Sequence, residues 1–260
     1  MTRLVLVIDE TPFFHAEMVA NLLDRFGDRI VGCALITEVP TKNSLNAYMV
    51  KNAHRLTGRE LFSLSKKVIS RKLGDMIGKI TSGQGRNTVR SILVGAGVPY
   101  IEVKKNINEH KYLDWIARLW PDIVISSCSL YFARALLSLP RVGCINRHSS
   151  LLPAYGGILP VFHAISNGED RIGVSVHHMT VGIDKGGVIA RRTLMLGQGM
   201  TLEEAYSQCF DVSVEVIVEA VELLIANPSF SLPDISEPSY YSFPTALQWR
   251  MFRSQGGRFF

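Results

Sequence analysis

In the stretch GCINRHSSLLPAYGG, Gly143 to Gly157, an asparagine and a histidine stand two residues apart at the end of a short apolar run. Residues i and i+2 of an extended strand share a face, so Asn146 and His148 project together while Arg147 faces the other way. A carboxamide N–H can donate to a carbonyl oxygen that gains negative charge during acyl transfer. An imidazole can carry a proton near neutral pH. The two types together suit addition to a carbonyl, and they also suit a hydrogen-bonded corner that satisfies the turn and nothing more. His177 and His178 in VSVHHM alternate faces of a second strand-like run, so one of them is expected to be buried and hydrogen-bonded in support of the site. His110 and His163 read as structural or solvent-exposed.

Around these residues, strand and helix patterns alternate. RLVLVID reads as a strand, FFHAEMVANLLDRFG as an amphipathic helix closed by Gly27, and RIVGCALIT as a second strand, a βαβ opening that implies parallel pairing with helices on the sheet faces. TVRSILVGAG follows as a helix, VPYIEVK as a strand, EHKYLDWIARLW as a helix and PDIVISSC as a buried strand rich in β-branched residues. A helix across YFARALLSL leads to VGCIN, the strand that carries the Asn-Arg-His segment. PVFHAISNG reads as a helix, then IGVSVHHM and GGVIARRTLML as strands joined by TVGIDKG. Thr201 with Glu204 three residues on forms a capping-box signature that opens one long helix ending near Asn227. Ligands in open α/β sheets bind outside the carboxyl ends of the strands, which is where Asn146 and His148 fall.

At 260 residues and 47% hydrophobic content the chain can bury a sizeable core. Cys33, Cys128, Cys144 and Cys209 are widely separated and form no CxxC pair, a pattern of reduced thiols in a reducing compartment. No apolar run reaches membrane-spanning length, MTRLVLVIDE reads as a strand rather than a secretory signal, and the cytoplasm is the expected location. The net charge is +5, concentrated in residues 41–90, where eleven basic residues face only Glu60 and Asp75. Leu61, Leu64, Val68 and Leu73 recur there at helical spacing, so this insertion is expected to form a basic amphipathic helix docked on the body. It would attract an anion, or simply be a solvated face; it carries no nucleic-acid-binding motif.

Beyond these local signals, NRHSSLLP (Asn146 to Pro153) and GVSVHHMTVGIDKGGVIA (Gly173 to Ala190) resemble the two signature blocks of the folate-dependent formyltransferase family, notably its methionyl-tRNA and amino-sugar members. Asp184 occupies the position of the family's catalytic aspartate, and VLVIDETPFFHAEMVANLL resembles the family's first strand, turn and helix. The resemblance implies a Rossmann-like α/β fold, a mostly parallel sheet with helices on both faces. It implies N10-formyltetrahydrofolate as formyl donor to a primary amine, with no metal. Asn146 would stabilise the oxyanion, His148 would relay the amine's proton and Asp184 would orient or charge-stabilise the imidazole. Leu130, Tyr131, Val181, Gly182 and Ile183 occupy the positions that bound the family's pterin slot, and the same residues would also serve as ordinary core and loop packing. Ser149 and Gly156 replace a proline and an arginine common in relatives, and Arg147 between the catalytic pair is unusual.

The acceptor is less legible. DETPFFH replaces the glycine-rich phosphate loop of glycinamide ribonucleotide enzymes, and the roughly thirty residues after Asn227 are fewer than a tRNA-binding barrel needs. No room is expected before RLVLVID for the regulatory domain of the hydrolases. The expectation is therefore a catalytic domain over residues 1–227 with the insertion at 41–90, and an extended, draped tail over 228–260. Its expected acceptor is the amino sugar of a nucleotide-linked sugar. An amino-acid or siderophore amine and methionyl-tRNA are the competing acceptors, a folate- or nucleotide-binding module without turnover is the competing class, and homodimerisation is left open.

Overall fold

A computed structural model describes residues 1–11, 14–41, 44–82 and 88–260. Its contacts divide the chain into two compact units, and the strand carrying Asn146 and His148 runs from one into the other.

The first unit comprises residues 1–44, 65–146 and 179–181. It is built on five parallel strands, β1 (Leu4–Asp9), β2 (Ile30–Glu38), β3 (Tyr100–Lys104), β4 (Ile123–Ser127) and β5 (Gly143–His148). They lie in the order β3-β2-β1-β4-β5, so the chain winds outward from β1 in both directions. Strands β1 and β4 are buried nearly throughout, which is why their sequences run apolar instead of alternating. On one face Val5, Val7, Ala34, Ile36, Val103, Val124 and Cys144 meet Ile107, Tyr112, Ile116 and Phe132 in one core cluster. Helix α1 (His15–Phe26) buries Met18, Val19, Leu22 and Phe26 at three- and four-residue spacing and ends at Gly27, whose φ of 52° is a conformation glycine adopts at little cost. Helices α4 (Val89–Gly95) and α5 (His110–Arg118) fall within the stretches whose patterns read as helical.

The second unit comprises residues 45–64, 147–178 and 182–260. Strands β7 (Arg171–His178) and β8 (Val188–Met195) pair antiparallel and extend the sheet beyond β5 to seven strands. Helix α8 (Leu202–Ala226) packs on both of them. It begins as its sequence requires: the Thr201 hydroxyl accepts from the Glu204 amide, and Glu204 Oε2 accepts from the Thr201 amide at 2.8 Å. Its buried residues Leu202, Ala205, Cys209, Val216, Ala220 and Leu224 follow a helical period.

Several elements differ from the sequence reading. The helix expected across YFARALLSL shrinks to one turn, α6 (Arg134–Leu137). The C-terminal segment, expected to be draped, forms a short strand β9 (Tyr240–Tyr241), parallel to β6 (Gly156–Gly157), and a helix α9 (Ala246–Ser254) against α7 (Pro160–Ser166). Phe162 of α7 stacks on Phe252 of α9 at 4.5 Å, and Trp249 stacks on Phe259 at 5.1 Å, so the aromatics that made the tail look irregular are its core. Glu60, 3% exposed, accepts from both terminal nitrogens of Arg253 at 2.9 and 2.8 Å and from the Phe259 amide at 2.7 Å. It thus binds the C-terminal residues to the start of α3 (Gly58–Ser82).

The 41–90 segment contains α2 (Leu45–Lys51) and α3; Lys42, Arg86 and the side chains of Lys67, Val68, Arg71, Lys72, Asp75 and Lys79 lie outside what is described. Of the face expected to dock, Leu61 and Leu73 are exposed and Leu64 is half-buried. All four cysteines are free, and burial pushes the Cys128 and Cys144 thiols up to about 12, so these behave as packing groups. Among the described residues no helix is long and apolar enough to cross a membrane, and no His, Cys, Asp and Glu cluster is placed to hold a metal ion.

Candidate active site

Strand β5 ends in the residues singled out by chemistry. His148 is 9% exposed, and its Nε2 lies 3.0 Å from the Tyr155 carbonyl. A carbonyl only accepts, so Nε2 carries the proton and Nδ1 of the neutral ring is the free base. Nδ1 sits 3.9 Å from Asp184 Oδ2. Burial pushes the His148 pKa down, further than the neighbouring Asp184 carboxylate pulls it up, while His177 and Arg147 add to the lowering. The resting imidazole is therefore neutral, and a proton taken at Nδ1 faces a carboxylate.

Asp184 stands in the loop between β7 and β8 with φ of 52°, a left-handed conformation that aspartate tolerates better than most residues. Oδ2 accepts from the Gly157 amide at 2.8 Å, and Oδ1 lies 3.5 Å from His177 Nε2. Burial alone would raise this carboxyl, but His148, His177 and the Gly157 N–H together hold it well below the usual carboxylate range. It is a fixed negative charge. Gly157 is required where it stands: with φ of 95°, a Cβ there would come 2.0 Å from the Tyr241 carbonyl oxygen. The β6–β9 pairing thus lets the C-terminal segment hold the amide that holds Asp184.

The loop after β5 is anchored at several points. The Ser175 hydroxyl on β7 donates to the Ser150 carbonyl at 2.7 Å and accepts from the Leu152 amide at 3.1 Å. Tyr155 has φ of 60°, and its hydroxyl donates to Glu169 at 2.6 Å while its ring stacks on Tyr241. These contacts aim the carbonyl that selects the His148 tautomer. His177 is the buried member of its pair, 2% exposed, with Nδ1 2.9 Å from the His178 carbonyl. His178 instead donates to the Phe230 carbonyl. His163 is buried against Ser242 and Tyr241, and His110 is exposed.

Asn146 precedes His148 by two residues on β5 and is half-buried. Leu130 packs into the first unit's core at 8% exposure, whereas Tyr131, Val181 and Ile183 are about half exposed. Gly182 lies under the Lys185 side chain. The sequence could not foresee the Tyr155 carbonyl and the Gly157 amide, because backbone groups leave no signal in residue types.

Arg147, facing away from His148, is 7% exposed. Its Nε donates to the Ser213 hydroxyl at 2.7 Å and its guanidinium lies 3.9 Å above the Phe210 ring, while its NH2 nitrogen has no partner among the described residues. Burial pushes it down to about 10. A buried charge without a carboxylate partner is costly, so Arg147→Met is expected to leave stability unchanged or raise it by about 1–3 kcal/mol in urea unfolding. A loss beyond about 2 kcal/mol would mean that the Phe210 and Ser213 contacts outweigh desolvation.

The sequence model described as formyl transferase matches residues 51–221. A methionyl-tRNA formyltransferase of Thermotoga maritima is 30% identical over 164 residues, 61% of this chain and 52% of the relative. The chain spans about half the length of the curated relatives it matches. A sugar N-formyltransferase from Shewanella sp. FDAARGOS_354 superposes with a TM-score of 0.59 at 16% identity, over 97% of this chain and 87% of that one. WlaRD, a sugar 3N-formyl transferase solved in the presence of dTDP and 5-N-formyl-THF, superposes with a TM-score of 0.55 at 12% identity, over 97% and 78%. At these identities the structural likeness is one of fold.

Proposed function

This chain belongs to the formyl transferase family, and from that premise we propose that it moves a formyl group from a formyltetrahydrofolate to a primary amine, with Asn146, His148 and Asp184 as its catalytic residues. The observation that carries the reading is the His148–Asp184 pair: a buried neutral imidazole, its Nε2–H committed to a backbone carbonyl, with its free nitrogen beside a fixed carboxylate. The folate supplies an activated formyl carbon. The amine nitrogen attacks that carbon, and His148 Nδ1 takes the proton the amine sheds. As the bond from the formyl carbon to the folate nitrogen breaks, the same proton passes to the departing nitrogen. Asp184 stabilises the imidazolium between the two transfers. Asn146, on the same strand, donates its amide N–H to the formyl oxygen while it bears negative charge. From the family resemblance, Leu130, Tyr131, Val181, Gly182 and Ile183 are the residues proposed for the pterin; Tyr131, Val181 and Ile183 are each about half exposed, and Leu130 is buried.

For the acceptor we favour an amino sugar on a nucleotide, because DETPFFH stands where a glycine-rich phosphate loop would mark a glycinamide ribonucleotide enzyme; the fold likeness is shared equally by sugar and phosphoribosylglycinamide formyltransferases and does not choose between them. Methionyl-tRNA is the second reading, supported by the curated relatives. The test is tetrahydrofolate release monitored spectroscopically with a panel of nucleotide-linked amino sugars, free amino acids, siderophore amines and methionyl-tRNA. Turnover with one class identifies it; tight folate binding with no turnover on any amine sinks the enzyme reading and leaves a binding module. In the active pairing, Asn146→Ala is expected to lower kcat about 100- to 1000-fold with a small change in KM. A drop smaller than about fivefold would remove Asn146 from the oxyanion role.

A further inference from the structure

Along the second half of α3, Ile69, Leu73 and Met76 are 57%, 46% and 52% exposed. Spacings of four and three put them in one row on the helix, the pattern a globular protein ordinarily turns inward. Three large aliphatic side chains in one exposed row mark a surface built for contact. The same segment, residues 65–82, contains Lys66, Lys67, Arg71, Lys72 and Lys79 against Asp75 alone, and Lys66 is itself exposed.

A partner must therefore offer aliphatic surface and negative charge together. A nucleic acid supplies the charge but no aliphatic surface. A second copy of the helix supplies the apolar row but brings like charge against like. An anionic lipid interface supplies both. We propose that residues 65–82 of α3 form a docking surface for an anionic membrane: the helix lies in the interface plane, the Ile69, Leu73 and Met76 row enters the acyl boundary, and the segment's positive charge meets the headgroups. The contact is peripheral, since no helix among the described residues is apolar enough to span.

The test is flotation of the whole protein with vesicles of phosphatidylglycerol and phosphatidylcholine in equal parts, against phosphatidylcholine alone. Binding to the anionic vesicles is expected to be tighter by about tenfold or more and to weaken as salt rises. Ile69→Asp with Leu73→Asp, and separately Lys66→Glu with Lys72→Glu, should each reduce it by about tenfold while far-ultraviolet circular dichroism stays unchanged. Ile69→Trp gives an independent reading, a blue-shifted indole emission on anionic vesicles that brominated lipid quenches. Equal binding to both vesicle types, binding indifferent to the two double variants, or an unshifted emission from the Ile69→Trp protein would overturn the proposal. So would a shift of RNA mobility, capture of an acidic amphipathic peptide, or a dimer by light scattering that Ile69→Asp abolishes, if vesicles fail to bind.

Discussion

His148→Ala is expected to lower kcat/KM for formyl transfer by about 100- to 10,000-fold, the range a positioned acid–base group contributes. With Nε2–H committed to the Tyr155 carbonyl, only Nδ1 can exchange a proton, and that nitrogen is the one beside Asp184 Oδ2. Burial holds the resting His148 below its ordinary 6.5, so wild-type activity should rise through a limb below that value and stay level across neutral pH. Asp184 pulls the His148 pKa up more than the Tyr155 carbonyl does, so Asp184→Asn should move the limb to lower pH while kcat falls, because the imidazolium loses its counter-charge. Arg147→Met should move it the other way, since the Arg147 charge opposes protonation of His148. Opposite movements of one limb report electrostatics at one imidazole; merely loosened packing would not produce them. An unmoved limb in Asp184→Asn, or near-normal turnover in His148→Ala, would place the proton transfer elsewhere.

Glu60→Ala is expected to destabilise the protein by about 3–5 kcal/mol, read as a lowered urea midpoint. The carboxylate serves Arg253, the Phe259 amide, the Thr57 amide and the Thr57 hydroxyl at once, and its loss leaves all four without it in a buried setting. Burial raises its pKa, but Arg253 and the two backbone amides prevail and hold it down at about 2, against 4.5 for an ordinary glutamate. The unfolded chain therefore binds the proton first as pH falls. The contribution is whole above pH 4.5 and fades towards pH 2, so wild type should lose stability across that window and Glu60→Gln should lose less. A midpoint in Glu60→Ala within about 1 kcal/mol of wild type would show that the aromatic cluster around Phe162 holds the C-terminal helix unaided.

Residue types and their periods were enough to read the βαβ opening, the Thr201–Glu204 start of α8 and the strand that presents Asn146 and His148, because those features depend on neighbours within one or two turns. They also singled out Asp184 through resemblance of its loop. Neither the fold of the C-terminal segment nor the exposed face of α3 could be read that way. The first depends on aromatic partners some ninety positions apart, and the second on which side chains find tertiary partners, which a helical period does not record. What commits one His148 nitrogen to a backbone carbonyl and sets the other beside a carboxylate is a carbonyl at 155, an amide at 157 and a carboxylate at 184 brought together by the folding of the second unit. Periodicity records which face a residue shows to its neighbours; only the tertiary structure decides which distant backbone atom that face meets.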